Sequence, residues 1–227
     1  MRLLLLRHGQ TPANVDGILE TSIPGPGLTE LGRRQALAVP AALAEERIDA
    51  IYVSNLIRTH ETAAPLASTL GIDPIEFEGL REISAGDLEG ANDWDSVKAY
   101  LGTCRAWATD LGVRMPGGES GHEFFGRYDG ALAEIESAHE PDATVVVVSH
   151  GAAIRVWCGG RVPNLGPLFT RDTHLDNTGI VIVEGSTRTG WTCISWAGMP
   201  IGGEALVDTT DHDITGEPYD EALADAE

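Results

Sequence analysis

Residues 3–6 are four consecutive leucines, and Arg7, His8 and Gly9 follow them directly. A strand with one face in solvent alternates apolar and polar residues, so this unbroken apolar run predicts a strand buried on both faces. Such strands are typical of the middle of a parallel sheet covered by helices. In these sheets, ligands bind just beyond the carboxyl ends of the strands. We therefore expect Arg7 and His8 to lie at a binding cleft, where Gly9 lets the backbone approach a bound group closely.

A second run of this kind begins at Ala143, continues over residues 144–148 and ends in Ser149, His150 and Gly151. A single Arg-His-Gly tripeptide is compatible with an ordinary strand end that meets solvent. Two buried strands that both end in His-Gly are difficult to explain by packing alone, because a buried imidazole needs hydrogen-bonding partners. The repeat favours one site that both histidines share.

Strands and helices are predicted to alternate along the chain, which indicates one α/β domain. We expect a three-layer sandwich in which helices cover both faces of a mostly parallel central sheet. Thr29 is the predicted N-cap of the first long helix, Pro40 is expected to bend it, and Gly71 is expected to end the next helix. The predicted helices cover residues 30–46, 58–70, 93–111 and 120–139, and the predicted strands cover residues 3–6, 50–54, 75–77, 143–148, 177–184 and 191–196.

The charge of the chain is strongly negative and unevenly distributed. Its 227 residues carry a formal net charge of −20, which argues against nucleic acid and anionic membranes as partners, because both bind basic surfaces. Residues 204–227 hold nine acids and no Lys or Arg. We predict a folded domain over residues 1–200, in which residues 91–116 form an insertion or lid, and an acidic, flexible tail over residues 201–227.

The cysteines and the apolar segments bear on location. Cys104, Cys158 and Cys193 lie far apart and form no Cys-x-x-Cys pair, which is typical of free thiols in a reducing compartment. The first apolar run is shorter than the roughly 7 residues at the centre of a signal peptide. No stretch approaches the ~18 apolar residues of a membrane span. The sequence predicts a cytoplasmic location.

Six short motifs follow one another along the chain. They are Arg7-His8-Gly9-Gln10-Thr11 with Asn14, residues 28–32 with Gln35-Ala36, residues 54–59 with Thr62-Ala63, Leu80-Arg81-Glu82 with Gly86, Glu89 and Gly90, Gly118-Glu119-Ser120 with Arg127, and Ser149-His150-Gly151. Each motif alone is a weak signal, but six in order at compatible separations are a strong one. In these motifs the chain resembles the histidine phosphatase superfamily, in the branch that includes the cofactor-dependent phosphoglycerate mutases. The resemblance extends from about Arg2 to about Trp196, so that residues 1–200 would be the catalytic domain.

The resemblance implies a metal-independent phosphatase that hydrolyses a small phosphate monoester and needs no cofactor. His8 would be the nucleophile and form a phosphohistidine, which divides one difficult step into two easier ones. Arg7, Arg58 and a protonated His150 would complete the charge around the phosphate, and Glu82 would give a proton to the leaving alkoxide. The implied phosphate-binding residues are Arg7, Gln10, Thr11, Asn14, Arg58, His150 and Gly151. Because Glu82 must hold its proton, we expect the highest activity on the acid side of neutral.

Other enzyme classes fit the sequence less well. The pairs Asp93/Asp95 and Asp211/Asp213 match the signature of magnesium-dependent aspartyl phosphatases, but neither pair follows a buried strand. No cysteine has the arginine six positions later that a cysteine phosphatase needs. Within the family, a phosphoglycerate mutase stays the alternative, although the region after Glu82 lacks the Arg-Arg pair and the proline-rich stretch of the family's mutases. A phosphate-binding module without turnover is a third, weaker interpretation.

The sequence leaves three questions open. It does not name the alcohol that carries the phosphate, and it leaves the oligomeric state undecided, with a homo-oligomer as one option. Five aromatic residues either form an apolar mouth for the substrate or belong to the core. They are Trp94, Tyr100, Trp107, Phe124 and Phe125.

Overall fold

The computed structural model describes residues 1–209 and 213–224, and six strands of that part of the chain form one sheet. The strands are β1 (Arg2–Arg7), β2 (Ala50–Val53), β3 (Ile75–Glu76), β4 (Thr144–Ser149), β5 (Ile180–Ser186) and β6 (Gly190–Ala197). Their order across the sheet is β3-β2-β4-β1-β5-β6. The first four strands are parallel, and β5 pairs antiparallel with both β1 and β6.

Helices cover both faces of this sheet. They are α1 (Pro12–Val15), α2 (Glu30–Ala42), α3 (Ile57–Leu70), α4 (Trp94–Ala106), α5 (Gly121–Ser137), α6 (Gly151–Arg161), α7 (Gly166–Asp172) and α8 (Tyr219–Ala224). Leu3 and Leu5 of β1 pack into a large cluster with apolar residues of α4, α5 and α6, whereas Leu4 and Leu6 pack into a smaller one with residues of α2 and α3. The predicted three-layer α/β sandwich with a mostly parallel sheet is confirmed.

The register of the central strands explains where the site lies. β1 and β4 are neighbours, and Arg7 is paired with Ser149 at their carboxyl ends. His8 and His150 therefore leave the sheet at the same level. β2 lies on the other side of β4, with Val53 opposite Val148, so its next residue, Ser54, reaches the same edge.

The helix boundaries follow local chemistry. The Thr29 side chain accepts a hydrogen bond from the backbone N–H of Gly32 at 3.0 Å, as expected of an N-cap. Pro40 lies inside α2, which ends at Ala42 instead of continuing to residue 46. Gly71 ends α3 with a left-handed φ of 67°, which glycine adopts without strain. No helix was predicted after Gly151, where α6 begins and carries Gly159 and Gly160 in its last turn.

The aromatic residues that could have formed a substrate mouth belong mainly to the core. Tyr100, Trp107, Phe124 and Phe125 are all buried in the large cluster, and the rings of Trp107 and Phe124 stack 5.5 Å apart. Trp94 is half-buried at the start of α4, where Lys98 lies 4.1 Å above its ring. The core interpretation therefore holds for the four buried residues.

The described part of the acidic segment lies against the domain. Ile214 and Ala222 are buried and join the large core cluster. Arg155 of α6 donates hydrogen bonds to the backbone carbonyls of Thr215 and Glu217. These contacts are made by two apolar side chains and two backbone carbonyls. The acid-rich composition of the segment does not predict them. The division at residue 200 and the flexibility of the tail stay predictions. None of the helices that the structure describes combines the length and the apolar character that a membrane span requires.

Candidate active site

His8 is buried directly beyond the end of β1. Its Nδ1 lies 2.8 Å from the backbone carbonyl of Gly9, and a carbonyl can only accept, so Nδ1 carries the proton. Burial first, and then the nearby charges of Arg58 and Arg7, hold the pKa of His8 well below its ordinary value. The ring is therefore neutral at pH 7. Its Nε2 keeps an unprotonated lone pair, which is what a nitrogen nucleophile requires.

His150 lies beside His8 beyond the end of β4, with the two ring centroids 5.2 Å apart. Arg58 Nε donates to His150 Nδ1 at 3.3 Å, so the proton of this ring is on Nε2, which lies 2.8 Å from Ser54 Oγ. Burial and the charge of Arg58 hold the pKa of His150 well below its usual range. The expected imidazolium is therefore a neutral ring in the free protein, because a buried cation next to Arg58 would be costly.

The two arginines of the predicted pocket each hold a buried N–H that has no acceptor among the described residues. These atoms are Nε of Arg7 and Nη1 of Arg58. Arg58, at the start of α3, donates from Nη2 to the carbonyl of Glu20 at 3.1 Å, and burial lowers its pKa to about 10, so it stays charged at neutral pH. An unsatisfied buried donor costs about 1–3 kcal/mol. Both guanidiniums are close enough to His8 to lower its pKa, and two unsatisfied donors on them are suited to an anion.

Glu82 occupies the amino-terminal end of α6. Its carboxylate oxygens accept from the backbone N–H groups of Ile83 at 2.8 Å, Ala153 at 2.8 Å and Ala152 at 3.2 Å. These bonds and the charge of Arg58 favour the ionised form, but burial outweighs them and raises the pKa of Glu82 above its ordinary value. The carboxyl group can thus hold a proton at higher pH than a surface glutamate does.

The predicted site residues divide into those that line one cavity and those that lie outside its lining, which are Arg7, Gln10, His150 and Gly151. His8, Thr11, Asn14, Arg58 and Glu82 line one cavity of about 20 Å³. Thr11 caps α1 and binds the side chain of Asn14, which fixes the amide beside the cavity. Gln10 is not in the lining, because its amide is held by Thr29 and Asp208.

Three further residues belong to the site but were not predicted. Ser54 fixes the ring of His150, and its position just after β2 was a usable signal, since polar residues after parallel strands collect at one edge. Asp213 and Thr215 bind the guanidinium of Arg7 across more than 200 positions of sequence. No local pattern marks such a distant contact. The Asp211/Asp213 pair considered above is described only at Asp213, which binds Arg7, while Asp211 lies outside the described residues.

The described residues offer no obvious metal site. No group of three or more His, Cys, Asp or Glu side chains in residues 1–209 and 213–224 is placed to hold an ion. The polar residues that line the cavity are one histidine, one arginine, one asparagine, three threonines and two glutamates, which are Glu20 and Glu82.

Comparisons with known proteins extend these observations. A model of the histidine phosphatase superfamily (branch 1) matches residues 3–198. The chain is 38% identical over 216 residues to the PE-PGRS family protein PE_PGRS11 of Mycobacterium tuberculosis, covering 88% of this chain but only 37% of that protein. It is 32% identical over 160 residues to phosphoserine phosphatase 1 of Hydrogenobacter thermophilus, covering 70% of this chain and 75% of that enzyme.

A solved structure has the same fold. Mycobacterial glucosyl-3-phosphoglycerate phosphatase in complex with VO3 superimposes with a TM-score of 0.72 at 29% identity, covering 86% of this chain and 98% of that one. The family model spans the sheet and both strands that end in His-Gly. The chain therefore belongs to the histidine phosphatase superfamily, branch 1.

Proposed function

We propose that this protein hydrolyses small phosphate monoesters through a phosphohistidine at Nε2 of His8, with Glu82 as the proton donor. The observation that carries the proposal is the state of His8. Its ring is neutral and buried, and the bond from Nδ1 to Gly9 leaves the Nε2 lone pair available beside two arginine donors. The relatives named as phosphatases of phosphoserine and of glucosyl-3-phosphoglycerate support the reaction type.

In the first step, the phosphate dianion binds at the edge where β1, β2 and β4 end. Nη1 of Arg58 and Nε of Arg7, which find no acceptor in residues 1–209 and 213–224, then donate to the phosphate oxygens. Asn14 lines the same cavity and adds an amide donor. Fixed donors around the phosphoryl oxygens stabilise the charge that spreads over them in the transition state.

In the second step, Nε2 of His8 attacks phosphorus and the alkoxide leaves. The imidazole becomes cationic as the N–P bond forms, and the carbonyl of Gly9, which accepts from Nδ1, stabilises that charge. Glu82 gives its proton to the leaving oxygen. As a carboxylate it then removes a proton from the water that attacks the phosphohistidine, which restores both residues.

The proposal is tested by assaying the purified chain with p-nitrophenyl phosphate in the presence of EDTA. We expect turnover that the chelator does not affect and that His8→Ala lowers by on the order of 10⁴-fold or more, because the nucleophile is lost. His60→Ala is the matched control, since His60 is a half-exposed surface histidine that pairs with Glu76 at 3.0 Å. Equal activity of His8→Ala and the wild type would refute the mechanism.

Two further measurements define the reaction. A panel of phosphoserine, glucosyl-3-phosphoglycerate, sugar phosphates and nucleotides reports the natural alcohol. Isomerisation of 3-phosphoglycerate with a bisphosphate primer would instead identify a mutase. Release of inorganic phosphate without isomerisation is the result that we expect.

A further inference from the structure

The guanidinium of Arg7 is fully buried and is held by a segment far along the chain, residues 213–217. Both Nη atoms donate to the carboxylate of Asp213, with 2.6 Å between Nη2 and Oδ1. Nη1 also donates to the carbonyl of Leu175 at 2.8 Å, and Nη2 donates to Thr215 Oγ1 at 2.9 Å. The guanidinium is therefore held both by Leu175 and by residues 213 and 215.

These bonds leave one donor of Arg7 for another partner. An arginine has five N–H groups, and the four on Nη1 and Nη2 are matched by the acceptors just named. The fifth, on Nε, has no acceptor among the described residues. It lies next to Gly151, where a Cβ atom would stand only 2.8 Å from it. The unsatisfied edge of the guanidinium is thus beside the residue that follows His150.

The segment that holds Arg7 is part of the packed structure. Ile214 is only 7% exposed and belongs to the large core cluster. Gly216 leaves the space that Arg7 Nη1 fills, since a Cβ there would overlap that atom. Asn14, which lines the cavity beside His8, also donates to Asp213 Oδ1 at 3.1 Å. Asp213 therefore contacts two residues of the predicted phosphate pocket at once.

We propose that Asp213 is a positioning residue for Arg7: its carboxylate holds the guanidinium end-on, so that the Nε edge faces the phosphate group. The proposal rests on the phosphatase function proposed above. A buried arginine is strongly destabilised without a counter-ion. Without Asp213, Glu82 and Asp176 are the acids among the described residues that still act on Arg7. A turn of the guanidinium toward Glu82 would remove it from the phosphate and would favour the ionised form of the proton donor.

The test is a double-mutant cycle between Asp213 and Arg7. We expect Asp213→Ala to lower kcat/KM by roughly 10- to 100-fold, because small misplacements of catalytic groups have effects of that size. In an Arg7→Lys background the same substitution should change kcat/KM by less than about threefold, since it acts through the guanidinium. Asp213→Asn, which keeps the size of the side chain, should retain more activity than Asp213→Ala.

Binding of inorganic phosphate, measured by calorimetry, gives a second readout that needs no turnover. We expect its Kd to rise in Asp213→Ala and Asp213→Asn. The matched control is Glu221→Gln, which removes an exposed acid of α8 that pairs with His174 at 3.1 Å. The control should leave Kd and kcat/KM unchanged.

Three outcomes would overturn the proposal. Additive effects of Asp213→Ala and Arg7→Lys would show that Asp213 does not act through Arg7. Tighter phosphate binding in Asp213→Asn would show that the carboxylate competes with the ligand. Unchanged kinetics and unchanged phosphate affinity in folded Asp213→Asn would show that the contact has no role. If the wild type bound phosphate without hydrolysing any ester, the proposed function would fail, while the phosphate measurements would still decide the role of Asp213.

Discussion

Two arginines close to Glu82 differ in how completely the protein provides acceptors for their N–H groups. Arg127, on α5, donates to both carboxylate oxygens of Glu119 and to the backbone carbonyls of Gly79, Arg81 and Glu82. Arg58 is more deeply buried than Arg127, but its Nη1 has no acceptor among the described residues, and burial lowers its pKa to about 10. Burial alone does not distinguish an arginine whose donors are all bonded from one that keeps an unbonded donor. Incomplete hydrogen bonding of a buried charge is the more informative signal.

Replacing each arginine by methionine is expected to give the largest contrast in activity and stability. Arg58→Met should lower kcat/KM by about 10²- to 10³-fold, because one fixed donor to the transition state is lost. It should leave the melting temperature unchanged or raise it, since burial disfavours the charge of Arg58 in the folded protein.

Arg127→Met should have the opposite pattern. It leaves Glu119 without its partner, which should lower the free energy of unfolding by about 3 kcal/mol. Thermal denaturation and steady-state kinetics on both variants measure the contrast. A lower melting temperature for Arg58→Met together with full activity would contradict the distinction drawn between the two sites.

Glu82 and Glu119, the carboxyl groups near these arginines, are expected to differ in their effect on kcat. Glu82→Gln should lower kcat by roughly 10²- to 10³-fold, because the leaving alkoxide loses its proton donor. Glu119→Gln is the control, since Glu119 bonds to Arg127 at 2.7 Å and not to the cavity. We expect this control to be less stable than the wild type but to turn over normally below its melting temperature. Aryl esters with better leaving groups should reduce the defect of Glu82→Gln.

The pH dependence of kcat/KM tests the role of Glu82 independently of any substitution. Burial raises the pKa of Glu82, so activity is lost as pH rises through that value and the donor ionises. Burial lowers the pKa of His8, so activity is lost only when pH falls far enough to protonate the nucleophile. The optimum should lie on the acid side of neutral, with kcat/KM falling roughly tenfold per pH unit on the alkaline side. A profile that still rises above about pH 8 would exclude Glu82 as the donor.

The smallest effect is expected at Ser54, which fixes the ring of His150. Ser54→Ala removes the acceptor for Nε2 and should lower kcat/KM by about fivefold to tenfold, a typical result for a supporting hydrogen bond. Ser137→Ala is a suitable control, because the hydroxyl of Ser137 is exposed and bonds only to a backbone carbonyl of its own helix among the described residues. Wild-type kinetics in Ser54→Ala would mean that the ring is held by Arg58 alone.

Residue-level reasoning predicted the central part of this molecule because the signals there are local. The leucine and valine runs indicated β1 and β4, and the rule for parallel sheets placed Arg7, His8 and His150 at their carboxyl ends. The caps at Thr29 and Gly71 were equally readable, since the backbone needs those residue types at helix ends. Two features lacked a local signal. No helix was predicted where α6 begins, in a stretch that carries Gly159 and Gly160, and the acid-rich composition of residues 204–227 does not indicate contacts such as the one between Asp213 and Arg7.

The sequence by itself determined the fold class, the edge of the sheet where chemistry can occur and the types of side chain that meet there. The tertiary structure alone decided the protonation states and the partners. His150 is neutral because it is buried against Arg58, and Arg7 is held by Asp213 from the far end of the chain. Both depend on distances between residues remote in sequence, and electrostatic energies depend steeply on distance and burial. Periodicity and motifs specify neither quantity.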